Sequence, residues 1–107
     1  MTDIELASPH GPLPAYVARP AGEGPWPGGV VIHDAGGMGK DTRRQADWLA
    51  SEGFTAIAPD LFAWSNVVRC MWTVFGDIRA GSGRYFDQVE TARAWLLATR
   101  PARAVLA

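Results

Sequence analysis

The chain of 107 residues holds a single cysteine, Cys70, so no disulfide can form within it. A reducing cytoplasm is the expectation that follows. An excess of charge of either sign is also missing. A net charge of −1 gives no broad basic surface for nucleic acid or anionic membrane, and neither is expected as a partner. No apolar run approaches the roughly 20 residues that cross a bilayer. The opening stretch MTDIELASPHG has no basic n-region and no apolar h-region, so no signal peptide is expected. Internal repeats and low-complexity runs are absent. What is present is apolar content of 48%, enough for a packed fold, in a length that suits one domain over residues 1–107.

The pattern along the chain predicts mixed structure. Ile4 to Pro9 and Pro14 to Pro20 alternate as strands do, with His10-Gly11-Pro12 as the turn of an antiparallel hairpin. PAGEGPWPGG reads as a surface loop. GVVIH, Gly29 to His33, is a β-branched run of the kind buried on both faces. In KDTRRQADWLASEG, Ala46, Leu49 and Ala50 share a helical stripe that Trp48 widens; Asp41 or Thr42 can cap the start and Gly53 stops it. FTAIAPD, Phe54 to Asp60, is the next buried strand, which makes a strand-helix-strand unit with a parallel pair. Ser65 to Ile78 has helical periodicity, with Ser65 as N-cap and Gly76 weakening the end. YFDQVETARAWLLATR forms an amphipathic helix on Phe86, Val89, Ala92 and Leu96, and ARAVLA begins a further strand.

The segment HDAGGMGKDT allows three readings. A phosphate cradle needs G-x-x-x-x-G-K-[ST], but Asp34 stands at the first glycine and Asp41 at the hydroxyl position. A dinucleotide fingerprint fails at Thr42, where the third glycine belongs. On a second reading the glycines serve only to turn the chain from strand to helix. Alternatively the loop presents backbone N–H groups to a developing oxyanion, the device of acyl-transfer enzymes.

The apolar strand into His33-Asp34, the glycine loop, the helix end ADWLASEGF and the motif APDLF, Ala58 to Phe62, together resemble the N-terminal part of the dienelactone hydrolase family of α/β-hydrolases. That resemblance implies an incomplete α/β-hydrolase fold: an N-terminal antiparallel hairpin, then parallel strands with crossover helices on both faces. It implies that the Ala35 N–H is an oxyanion donor and that Asp34 takes the place of an acidic residue, more often Glu, near the nucleophile. Gly36 and the rings of Trp64 and Trp72 would then border the substrate, an ester or lactone; filling core or interface is the other reading of the two tryptophans. The family's elbow, G-x-[CS]-x-G, does not occur in the chain, and Gly81-Ser82-Gly83 has the wrong spacing.

Local substitutes for the missing groups are poor. Cys70 lies in an apolar run, His33 ends a buried strand where it orders the loop, and His10 falls in a solvated turn. His10, His33 and Cys70 have no metal-ligand spacing, and no cofactor is expected. The expectation is therefore a chain without hydrolytic activity alone. Handedness puts the two crossover helices on opposite faces, each covering about two strands. The apolar remainder calls for a second copy or a complementary C-terminal chain. A non-catalytic oligomerising module is the alternative function.

Overall fold

The computed structural model describes residues 2–22, 24–33, 38–63, 67–99 and 104–106. The elements follow the order β1 (Thr2–Ser8), β2 (Gly11–Ala18), β3 (Gly28–Val30), α1 (Lys40–Ser51), β4 (Thr55–Pro59), α2 (Val67–Ala80), α3 (Arg84–Ala98) and β5 (Ala104–Leu106). They build one sheet in the order β1-β2-β4-β3-β5. β1 and β2 are antiparallel, as are β2 and β4, whereas β3 runs parallel to both β4 and β5.

The hairpin turns at Pro9-His10, earlier than the expected His10-Gly11-Pro12, because Ser8 pairs directly with Gly11. Gly11 sits at φ +99°, where a side chain would be strained. The Ser8 hydroxyl donates to the Gly11 carbonyl at 2.6 Å and accepts from the His10 N–H at 3.2 Å. Pro14 lies one residue past the last β2–β4 pair, Ala15 with Pro59. Its carbonyl accepts from the Asp60 N–H at 2.8 Å, and the N–H it lacks would face this same side, past the end of the ladder, where no ladder bond is lost. His10 is not simply solvated. Its Nε2 lies 2.8 Å from Asp87 Oδ2, and Arg84 donates to its carbonyl at 3.1 Å, which ties the hairpin tip to the first turn of α3.

α1 starts at Gly39 with no side-chain cap, so neither Asp41 nor Thr42 plays that part; Thr42 is instead buried inside the helix. Gly53 does end it. At φ +92° its N–H donates to the Ala50 carbonyl, and the Phe54 N–H reaches the Leu49 carbonyl at 3.0 Å, which is a Schellman closure. The buried stripe is made of small residues. Ala46 and Ala50 pack on Ala18, Ala56 and Ala58 of the sheet. Trp48, expected to widen this stripe, is 61% exposed, since two residues at about 100° each carry it to the far side.

α3 covers the other face, where Ala92 and Leu96 meet Leu6, Leu13, Val30 and Ile57. The expected stripe holds at Val89, Ala92 and Leu96 and departs at Phe86, which is 38% exposed while Gln88 is buried. The two crossovers leave the sheet on opposite faces, as their opposite directions require. α2 runs through Gly76 to Ala80 without a break and leans on α3 rather than on the sheet. The corner between them is held by Asp77, whose Oδ2 accepts the Tyr85 N–H at 2.8 Å. Gly83, at φ +129°, closes the corner, and a Cβ there would run into the Asp77 carboxylate. The expected cap Ser65 lies outside the described residues. Among the described residues no helix is long and apolar enough to cross a membrane.

One bond pins α1 to β2. The Tyr16 hydroxyl donates to Asp47 Oδ1 at 2.6 Å, while the Arg43 guanidinium lies 4.7 Å over the ring. The carboxylate acceptor, aided by burial, pushes the Tyr16 hydroxyl from 10.0 up to about 12. The folded state favours the protonated phenol, so its stabilisation is complete below pH 10 and is lost as pH rises toward 12. We predict that Tyr16→Phe costs on the order of 1 kcal/mol at neutral pH. In urea titrations, the gap between the original chain and the variant should close between pH 10 and 12. A gap that widens over this window would contradict the assignment.

Candidate active site

β3 and β4 are parallel neighbours whose connections leave on opposite faces. The space beyond the C-terminal ends of such strands is where open α/β sheets bind ligands. Three residues following the β3 ladder, Val31 to His33, reach that edge, the Val31 N–H still donating to the Ile57 carbonyl at 2.8 Å. The strand is thus shorter than the expected Gly29 to His33, ending as a ladder at Val30.

His33 is the organising side chain. Only 1% of it is exposed. Its Nε2 accepts the Leu61 N–H at 2.9 Å, which makes the imidazole neutral with its proton on Nδ1. Asp60 Oδ1 stands 3.9 Å from the same Nε2, beyond hydrogen-bond reach, and instead accepts the Phe62 N–H at 3.1 Å. The Phe62 ring meets the imidazole edge-on, with centroids 4.6 Å apart. Cys70, fully buried on α2, directs its thiol to the Phe62 carbonyl at 3.6 Å. The APDLF motif therefore describes a turn held from β3, from its own aspartate and from α2. His33 and Cys70 are spent on these bonds, in keeping with the structural roles read for them in the sequence.

A cavity of about 190 Å³ lies between this turn and α2, walled by Ile32, Phe62, Val74, Ile78 and Tyr85 among others. Sequence periodicity marks Met71, Val74 and Ile78 as one helical face, yet nothing in it says that the face overhangs the β3 and β4 ends. Trp72 projects from α2 with 72% of its surface exposed, and it is not among the residues that wall this cavity. Asp34, Ala35, Gly36 and Trp64 lie outside the described residues. The structure describes the arrival at that segment, Ile32-His33, and the departure from it, Met38-Gly39 at the start of α1. A larger cavity of about 400 Å³, with Arg19, Trp26, Thr55 and Thr99 in its walls, lies at the opposite end of the strands. Among the described residues no three His, Cys, Asp or Glu side chains are grouped to hold a metal ion.

Comparison with known proteins decides the family. The dienelactone hydrolase family matches residues 13–102. The chain belongs to the dienelactone hydrolase family. A protein of Azospirillum brasilense provisionally named a carboxymethylenebutenolidase is 48% identical over 63 residues, a match covering 58% of this chain and 27% of that one. A similarly named protein of Methylorubrum extorquens is 33% identical over 61 residues, covering 57% of this chain and 21% of that one. A Klebsiella pneumoniae structure provisionally named a dienelactone hydrolase superposes with a TM-score of 0.76 at 24% identity, over 98% of this chain and 47% of that one. An α/β serine hydrolase without a lid from Xanthomonas campestris superposes with a TM-score of 0.62 at 18% identity, over 98% of this chain and 48% of that one. This dienelactone hydrolase family chain therefore has an incomplete α/β-hydrolase fold, and it spans about a quarter of the matched curated relatives and just under half of the solved structures.

Replacing His33 with Leu keeps the bulk and removes the acceptor, so the buried Leu61 N–H is left without its imidazole partner. The expected cost is about 1–3 kcal/mol in chemical denaturation, with faster hydrogen exchange at Leu61. Unchanged exchange at Leu61 would show that the tie contributes nothing.

Proposed function

We propose that this chain is the N-terminal part of a carboxylic-ester or lactone hydrolase and supplies the oxyanion donor side of its pocket. The single observation that supports the reading is His33 locked onto Leu61 at 2.9 Å, which fixes the residue preceding Asp34 at the C-terminal edge of a parallel pair. In this proposal the Ala35 N–H donates to the tetrahedral oxygen, Asp34 lies near the nucleophile, and Gly36, Trp64 and Trp72 border the substrate. The nucleophile, acid and base come from outside these 107 residues, since the sequence has no G-x-[CS]-x-G elbow. Without them only positioning and oxyanion stabilisation remain, and the rate falls by several orders of magnitude. The lone buried Cys70 suits a reducing compartment such as the cytoplasm.

The test is hydrolysis of an activated ester by the chain alone and by the chain fused after Ala107 to the C-terminal half of a dienelactone hydrolase. The chain alone should not exceed buffer, and the fusion should exceed the isolated C-terminal half. Within the fusion, Ala35→Pro removes the proposed donor and should lower kcat about 100- to 1000-fold. Enzyme-like turnover by the chain alone, or an undiminished Ala35→Pro fusion, would refute the proposal.

One observation favours the second reading, an oligomerising module. α2 exposes Val68, Trp72, Phe75 and Ile78 at 62, 72, 55 and 53%. So much apolar surface on one helix marks an interaction face. On this reading light scattering should find a dimer or larger species that Trp72→Glu dissociates. A monomer at all concentrations would remove it.

A further inference from the structure

We propose that the cavity beneath α2 binds one uncharged, apolar ring of about benzene size, carried by the ester or lactone on which the site acts. The inference rests on the proposed hydrolase reading only for the molecule to which the ring belongs. Three features carry it. The first is size. At about 190 Å³ the cavity slightly exceeds the roughly 150 Å³ at which an aliphatic and aromatic cavity stays dry and takes up benzene. The second is chemistry. Ile32, Phe62, Val74 and Ile78 present hydrocarbon, and among the described residues no Lys, Arg, Asp or Glu lines the cavity. His33 brings the one imidazole among the described lining residues, and its Nε2 is already committed to the Leu61 N–H. A carboxylate placed here would lose its hydration with no Lys or Arg among the described walls to offset the loss, so charge on the ring is selected against.

The third feature is position. Ile32 and His33 line the cavity, which therefore lies at the C-terminal ends of β3 and β4, the edge where open α/β sheets bind ligands. Leu61, 2% exposed, gives the cavity a closed side, while Phe75 and Ile78 line it and are still about half exposed, at 55 and 53%. These two residues form its mouth. The pocket therefore opens along α2, the one helix that is not packed down on the sheet.

The experiment is a titration of the 107-residue chain with benzene and, separately, with benzoate, followed through the methyl NMR signals of Ile32, Leu61, Met71, Val74 and Ile78. Benzene should shift these signals and leave Ala46 and Ala50, on the opposite face, unmoved. Benzoate should bind at least about tenfold more weakly. Val74→Phe fills the space and should weaken benzene at least about tenfold. The unaltered chain decides the matter even if that variant does not fold. Methyl signals that stay in place up to the solubility of benzene, or that move equally with benzoate, overturn the proposal. So does loss of benzene binding on fusion to the C-terminal half. Binding of benzene together with an Ala35→Pro fusion of undiminished activity would keep the pocket and refute only the donor reading.

Discussion

One hydrogen bond, from the Leu61 N–H to His33 Nε2, joins the ends of the two parallel strands on which the site is built. The end of β4 is held from its other side by β2, whereas β3 has only three paired positions with β4, so the bond fixes the less supported end. A buried imidazole that must accept at Nε2 fixes both the tautomer and the ring's orientation. The edge-on Phe62 and the Cys70 thiol on the Phe62 carbonyl then hold the turn against which the ring leans. The residue that leads into the glycine segment thereby has one orientation, and an oxyanion donor needs this kind of preorganisation.

The two faces of the sheet are packed by different means. Beneath α1 the contact is alanine on alanine, so the helix approaches closely and a Tyr16–Asp47 bond locks it in place. Beneath α3 the contact is made by Leu, Val and Ile side chains. α2 belongs to neither layer. It is fixed through Asp77 at its end and Cys70 near its start, and between these points it spans the cavity at the strand ends. The same loose packing gives the molecule both its apolar pocket and its exposed apolar helix face. Family relatives about twice this length or more have further chain that could meet such a face.

Much of this architecture was legible in the residues. Alternation marked the hairpin, β-branched runs marked β3 and β4, and Gly53 marked the end of α1. Opposite crossover directions were enough to place α1 and α3 on opposite faces. The family was legible too, because the strand into His33-Asp34 and the APDLF turn are local signatures. Facts decided by tertiary contact were not legible. Trp48 points to solvent and Gln88 inward because each helix rotates to put its smallest or best-fitting side chains on the sheet. The cap expected of Asp41 or Thr42 did not form, because α1 begins one residue before Asp41 and Thr42 is buried within its first turn. His10 was read as solvated because its partner, Asp87, is 77 positions away. Of the site, the role of His33 as an ordering residue was readable, whereas its partner and the cavity beside it depend on how α2 crosses the strand ends. The Asp34-Ala35-Gly36 segment on which the proposed chemistry rests lies outside the described residues.

The account depends on a neutral His33 that accepts at Nε2, and nitrogen-15 NMR of the imidazole measures this directly. The predicted result is a protonated Nδ1, an unprotonated Nε2 and a through-bond coupling between Nε2 and the Leu61 amide at neutral pH. A proton on Nε2, or a Leu61 amide with no coupling to it, would contradict the account, because the ends of β3 and β4 would then lack the bond that sets the site.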